Sequence, residues 1–365
     1  MNAAFTPAKF SSPFWTARAE PRASIALHGL KTLWFNTGTL CNITCANCYI
    51  ESSPRNDRLA YLSLTDVRTY LDEIARDAHP TRLIGFTGGE PFMNRAFPDI
   101  LEETLSRGFE TLTLTNAMRP MMRSKDVIAR LVSSYGAAMR VRVSVDDRRA
   151  EIHDRERGKG SFAKAMEGLR WLASHGVTIE VAGRYLSGDT ENELRAGFAG
   201  VLHAHGVKID TSDRRQLVLF PEMQPEADPP EITQACFAIL DVSTDSIMCS
   251  SARMVVKRQG ADHPVVLACT LIAYDERFEL GATLAEASRP VHLAHRHCST
   301  FCVLGGAACG AARHKGYAEG ATPNAAERCL GQPLCRCFAA SRYHGPSERH
   351  GCSFRRAVGK VRETG

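Results

Sequence analysis

Cys41-Asn42-Ile43-Thr44-Cys45-Ala46-Asn47-Cys48 follows the short apolar run Lys31–Asn36, and its reading decides the fold. The spacing is C-x3-C-x2-C. Three thiolates on one short loop hold three irons of a cubane and leave the fourth without a protein ligand, because such clusters normally take four thiolates. An open metal position is where a substrate or cofactor binds, by the logic that separates catalytic from structural zinc sites. A zinc site would want a fourth ligand close by, and the loop offers none. A redox C-x-x-C pair would use Cys45 and Cys48 and leave Cys41 idle. The loop therefore reads as a reactive [4Fe–4S] site.

Around this loop, residues 31–220 alternate strand and helix. Ser63–Ala78 reads as a helix with Val67, Tyr70, Leu71 and Ile74 on one face, a capping box at Ser63 and Asp66, and Pro80 beyond. Arg82–Thr87 reads as a buried strand, Phe97–Arg107 as a helix closed by Gly108, Thr111–Asn116 as a strand and Lys125–Tyr135 as a helix. Strand Arg140–Asp146, helix Phe162–Ser174, strand Thr178–Ala182 and helix Glu191–His205 follow. Val207–Ile209 and Leu217–Phe220 supply the sixth strand. Six β–α repeats with right-handed crossovers give an α/β fold, an open sheet or a barrel, with functional groups at the carboxyl ends of its strands.

The segment Pro221–Glu231 holds four prolines and four acids without periodicity, and reads as part of a linker over 221–235. Beyond it lie ten of the thirteen cysteines, in a Gly/Ala-rich stretch short on long helices. That pattern predicts a second, metal-dependent module with a small core. The expected organisation is an extension over 1–30, a barrel over 31–220, the linker, a Cys-rich module over 236–310 and a Cys-containing tail over 311–365.

The net charge of +5 arises from 45 basic and 40 acidic residues, too slight an excess to predict nucleic acid or membrane as partner. The densest basic cluster, Arg148–Arg155, is mixed in sign and reads as a solvated loop. The first residues carry no apolar segment of signal-peptide type, and no run approaches the ~18 apolar residues of a membrane span. A cytoplasmic protein is expected, in which thirteen cysteines serve as metal ligands or reactive thiols, not as a disulfide framework.

Phe86-Thr87-Gly88-Gly89-Glu90-Pro91 follows the second strand, about 40 residues after the cysteine loop. The glycines permit close backbone approach and Glu90 offers a carboxylate. In that order, the two motifs make the chain similar to the radical S-adenosylmethionine (SAM) superfamily. The resemblance covers residues 31–220 and implies a partial (βα)6 TIM-type barrel. It implies that Cys41, Cys45 and Cys48 bind the cluster, that Gly88, Gly89 and Glu90 hold the methionine amino group, and that the cofactor completes the fourth iron. One electron then cleaves a carbon–sulfur bond and yields a 5′-deoxyadenosyl radical. A flavodoxin or ferredoxin is the implied electron donor. Asn116, Ser144, Asp146 and Arg184, at strand ends, match places of cofactor contact, with capping of the next turn as the alternative role. Asn47 stands where the family often has an aromatic that packs on adenine, so a hydrogen bond from Asn47 is expected to replace part of that contact.

In the second half, Cys249, Cys269, Cys298 and Cys302, with Phe278-Glu279-Leu280-Gly281 between them, resemble the SPASM and Twitch auxiliary-cluster domains. The departures are a close pair spaced x3 instead of x2, and Gly260 further from Cys269 than usual. The resemblance implies one auxiliary [4Fe–4S] cluster, and a second only if Cys309, Cys329, Cys335, Cys337 and Cys352 contribute. Cys329, Cys335 and Cys337 are alternatively a soft-metal site or reactive thiols. His295 and His297 are expected beside the site or on the surface, and Cys236 in the core. The expected substrate is a small molecule or natural-product intermediate, since only about 30 residues precede the barrel. The alternatives are a ribosomal peptide, or transfer of a cofactor fragment to a thiophilic element held by the tail.

Overall fold

Thr32–Asn36 (β2) is the fourth strand of a nine-stranded sheet whose other members come from both halves of the chain. The structure is a computed structural model, and it describes residues 8–186, 188–222 and 226–305. The chain divides into two units, Met1–Glu319 and Gly320–Gly365, and every described residue lies in the first.

From β2 the sheet runs through Leu83–Thr87 (β3), Glu110–Thr115 (β4), Met139–Ser144 (β5), Thr178–Arg184 (β6) and Leu217–Phe220 (β7), all parallel. On its other side β2 pairs in parallel with Ala252–Val256 (β8), which continues antiparallel into Val265–Leu267 (β9) and Glu279–Gly281 (β10). A short ribbon joins Ser24–Ile25 (β1) to Val291–His292 (β11). The helices are Leu64–Arg76 (α1), Phe97–Ser106 (α2), Arg119–Arg123 (α3), Lys125–Tyr135 (α4), Ala150–Arg157 (α5), Ser161–Ser174 (α6), Glu191–Ala204 (α7) and Gln234–Leu240 (α8).

Two features depart from the expectation. Val207–Ile209 forms no strand; β7 alone supplies the sixth parallel strand, and a turn from Asp210 to Gln216 precedes it. The segment 236–310 does not stand off as a module with a separate core, because β8 joins the barrel sheet and all five of its residues are buried. Arg253 interrupts the apolar run there, so the strand does not look like one in the sequence.

Both faces of the parallel sheet are covered, as such sheets require. Leu33, Phe35, Ile84, Phe86, Val141, Val143 and Val181 pack beneath the helices. Trp34, Leu83, Leu112, Met254 and Leu267 form a second, inner core. Arg142 and Glu180, directly paired across β5 and β6, add a buried ion pair at 2.6 Å. The caps follow the sequence: Ser63 Oγ accepts from Asp66 N at 3.1 Å while Asp66 returns the bond, and Thr190 with Glu193 repeats the box on α7.

Gly85 lies opposite Trp34 in the β2–β3 register, and a Cβ there would stand 2.3 Å from the buried indole. Gly85→Ala is therefore expected to cost ~1–3 kcal/mol by overpacking, read as a lower urea midpoint with unchanged slope. An unchanged midpoint would show that the inner core yields freely.

Candidate active site

The cysteine loop leaves β2 and is fixed from below by the glycine motif that leaves β3. Gly89 N donates to Gly38 O at 2.8 Å and Glu90 N to Leu40 O at 3.2 Å. A Cβ on Gly88 would stand 2.5 Å from Gly38 O, and one on Gly89 2.2 Å from Leu40 O. Gly88 also has φ +136°, a conformation L side chains rarely adopt. The close approach these glycines permit is thus to the chain that delivers Cys41. Cys41 N in turn donates to Ser53 O at 3.1 Å.

Glu90 is almost fully buried. Its carboxylate accepts from Thr115 Oγ1 at 2.8 Å, from Asn116 N at 2.9 Å and from Phe92 N at 3.3 Å. Burial pushes its pKa up to about 7, against the pull of those donors. Asn116 Nδ2 donates to Asn42 Oδ1 at 2.9 Å and lies 3.9 Å from Cys41 Sγ, so the end of β4 touches the cysteine loop directly.

The far side of the loop is held by α5 and β6. Ala46 N donates to Glu156 O at 2.8 Å, and Asn47 Nδ2 donates to Glu156 Oε2 at 2.8 Å. Asn47 is thereby engaged within the chain. Arg184 donates to Asn47 O and lies over the Tyr49 ring, 4.6 Å from its centroid. Asp146 accepts two bonds of 2.8 Å from Arg157 and faces Arg184 Nε at 3.8 Å. Burial alone would raise the Asp146 carboxyl; Arg157 and Arg184 outweigh it and hold the group below its ordinary range. Ser144 is half-buried at the end of β5.

Glu156, Arg157 and His153 were not legible as site residues. They fall in or just after the stretch expected to be a solvated loop, and that stretch is helix α5 with His153 fully buried. Asp146 N donates to His153 Nδ1 at 3.2 Å, and burial pulls the imidazole down to about 4, so it is neutral at physiological pH. The one local signal for them is that His153 and Arg157 stand four apart and so share a helical face.

Burial pushes the Cys41 thiol up to about 12 and raises Cys45, while Arg157 opposes the shift at Cys45. Ser52 N donates to Cys48 Sγ at 3.2 Å. Among the described residues no three ligating side chains converge tightly enough for a single metal ion. A cubane spreads its thiolates over separate irons, so soft donors splayed on one clasped loop fit a cluster better than a mononuclear ion.

A second group of cysteines meets deeper in the chain. Cys249 precedes β8, Cys269 follows β9, and Cys298 and Cys302 share the π-helical turn Cys298–Val303. All four line one small enclosed cavity with Ile272, Phe278, Leu293 and His297. The helical turn absorbs the x3 spacing, since side chains four apart share a face. Burial pushes Cys249 up to about 11 and Cys298 to about 12, and pulls His297 down to about 4. Cys236 packs against the helix-side core on α8. Cys309, Cys329, Cys335, Cys337 and Cys352 lie outside the described residues.

A parallel βα sheet with a C-x3-C-x2-C loop clasped by Gly-Gly-Glu defines a class. Residues 35–196, which carry both motifs, match the family described as the Radical SAM superfamily, a family of enzymes. It is 33% identical over 143 residues to the antilisterial bacteriocin subtilosin biosynthesis protein AlbA of Bacillus subtilis (strain 168), covering 39% of this chain and 30% of the relative. It is 30% identical over 138 residues to the mycofactocin maturase MftC of Mycolicibacterium smegmatis, covering 38% and 33%. The chain spans about a third of the length of these curated relatives. In fold it is similar to Streptococcus suis SuiB bound to S-adenosylmethionine, with a TM-score of 0.50 and 12% identity over 70% of this chain and 63% of that one. No described helix is long and apolar enough to cross a membrane.

Two outcomes test this geometry. Gly89→Ala is expected to displace the Cys41 loop and lower the iron loaded there by at least half, read by iron content after reconstitution; full loading would contradict the clasp. Glu90 binds its proton more tightly folded than unfolded, with a folded pKa near 7 against an ordinary 4.5. The wild-type apoprotein should therefore lose stability relative to Glu90→Gln as pH rises from 4.5 to 7, by up to about 1.4 kcal/mol per unit, and level off above. Parallel urea-unfolding profiles would count against the buried carboxyl.

Proposed function

We propose that this enzyme holds a [4Fe–4S] cluster on Cys41, Cys45 and Cys48, SAM beside it, and an auxiliary [4Fe–4S] cluster on Cys249, Cys269, Cys298 and Cys302, and that it modifies a ribosomally made peptide. The observation that carries the reading is the hydrogen-bonded clasp between Gly88–Glu90 and the cysteine loop, which makes cluster loop and cofactor motif one unit. The cluster and SAM together supply a reductively generated 5′-deoxyadenosyl radical.

The chain's own residues position and shield that chemistry. Gly88 and Gly89 set the height of Cys41, and Glu90 presents a nearly neutral carboxyl that an ammonium group would ionise. Ser144 is the strand-end group assigned to the cofactor, and Asn116, already bonded to Asn42 in the loop, is assigned to holding that loop. Asp146, Arg184 and Asn47 are assigned to holding the loop, because each is already bonded within it or to Arg157. Tyr49 packs edge-on to Phe301 at 5.2 Å, between Cys298 and Cys302, and so links the two cysteine sites.

The relatives named for bacteriocin biosynthesis and maturation support a peptide as substrate over a free small molecule. A flavodoxin or ferredoxin is the proposed electron source.

Anaerobic reconstitution is expected to give about eight irons per chain, and about four after Cys41, Cys45 and Cys48 are changed to alanine, with 5′-deoxyadenosine formation abolished. About four irons in the wild type would remove the auxiliary cluster. Incubation with a short Cys- or Gly-rich peptide encoded beside the chain is expected to change the peptide's mass only when SAM and reductant are present. Accumulating 5′-deoxyadenosine beside an unchanged peptide would return the substrate to the small-molecule class.

A further inference from the structure

Four arginines among the described residues are buried: Arg22, Arg142, Arg184 and Arg253. Three have a carboxylate. Arg22 pairs with Glu231 at 2.5 Å, Arg142 with Glu180 at 2.6 Å and Arg184 with Asp146 at 3.8 Å. Arg253, fully buried on β8, has none among the described residues. Its guanidinium is held by main-chain carbonyls alone: Nη1 donates to Cys249 O at 2.6 Å and Ala252 O at 2.8 Å, Nε to Ala287 O at 2.8 Å and Nη2 to Arg289 O at 3.2 Å. Hydrogen bonds to neutral acceptors satisfy the donors and leave the charge uncompensated, which is costly in an interior. The Cys249 thiol, anionic once ionised, interacts electrostatically with Arg253.

We propose that Arg253 is the buried counter-charge of the auxiliary cluster and raises its reduction potential. The inference rests on the auxiliary cluster proposed above. Four thiolates make the loaded site anionic, and one electron from the reductant makes it more so. A fixed positive charge behind the Cys249 main chain stabilises the reduced form more than the oxidised form, since net charge and hydrogen bonding are what set such potentials. The placement explains why a strand buried along its whole length keeps an arginine. The competing role is a purely structural clamp, in which the planar fork ties residues 249 and 252 to 287 and 289. Lysine keeps the charge and loses the fork; glutamine loses both.

The test uses the full chain with Cys41, Cys45 and Cys48 changed to alanine, reconstituted anaerobically so that only the second cluster reports. About four irons in that protein are required first. About zero irons there removes the cluster itself, a failure of the proposed function and not of the role of Arg253. In the loaded protein, Arg253→Gln is expected to shift the reduction equilibrium at least tenfold toward the oxidised form, ~59 mV for a one-electron couple, in an EPR-monitored redox titration. Arg253→Lys is expected to stay within threefold of its parent. A glutamine variant within threefold of the parent overturns the proposal, and so does a lysine variant shifted as far as glutamine. Where Arg253→Gln loses iron or fails to fold, four irons in Arg253→Lys support the charge. The same loss in both variants overturns it in favour of the clamp.

Discussion

The rest of the structure depends on the contact between two backbones with no side chain between them. Gly88 and Gly89 approach Gly38 and Leu40 so closely that a single Cβ on either would collide with a carbonyl oxygen. Two main-chain hydrogen bonds follow from that approach and lock the exit of β3 to the exit of β2. The position of Cys41 is set there, before any metal is considered. Because Glu90 is next in sequence, the same contact turns its carboxylate inward, onto Thr115 and Asn116 at the end of β4. Three adjacent strand ends are thereby joined, which is how a fold built from separate βα repeats gathers one site at its carboxyl edge.

Around that contact the chain manages a charge problem. Thiols in apolar surroundings resist ionisation, yet metal binding requires thiolates. At the first site Arg157 stands near Cys45, with Asp146 and Arg184 orienting it. At the second site Arg253, fixed by carbonyls, stands near Cys249, and Arg22, paired with Glu231, acts on Cys298. The two sites use opposite arrangements. One is a hydrogen-bonded network of mixed sign that also holds the loop; the other includes an arginine behind a strand that main-chain carbonyls hold in place of a carboxylate.

What was legible in the sequence shares one property: it is local. The α1 cap at Ser63 and Asp66, the apolar stripes of the helices and the six parallel strands follow from periods of two and 3.6. The cysteine and glycine motifs are equally local, as is the family they indicate. What was not legible depends on partners far away in the chain. Strand β8 is disguised by Arg253, whose burial makes sense only beside Cys249 and the carbonyls of Ala287 and Arg289. The helix α5 looks solvated because its charged residues face the cysteine loop about 110 positions earlier. Val207–Ile209 has strand-like composition and still forms none, since its neighbours close a turn instead.

The most direct test of the unit formed by the cysteine loop and the glycine clasp is the EPR spectrum of the first cluster alone, in protein with Cys249 and Cys298 changed to alanine, reduced with and without SAM. The account predicts that SAM alters the signal, because the fourth iron, which Cys41, Cys45 and Cys48 leave without a protein ligand, is the one proposed to take the cofactor that Gly88–Glu90 presents. A protein that binds SAM by equilibrium dialysis while its spectrum stays unchanged would contradict it.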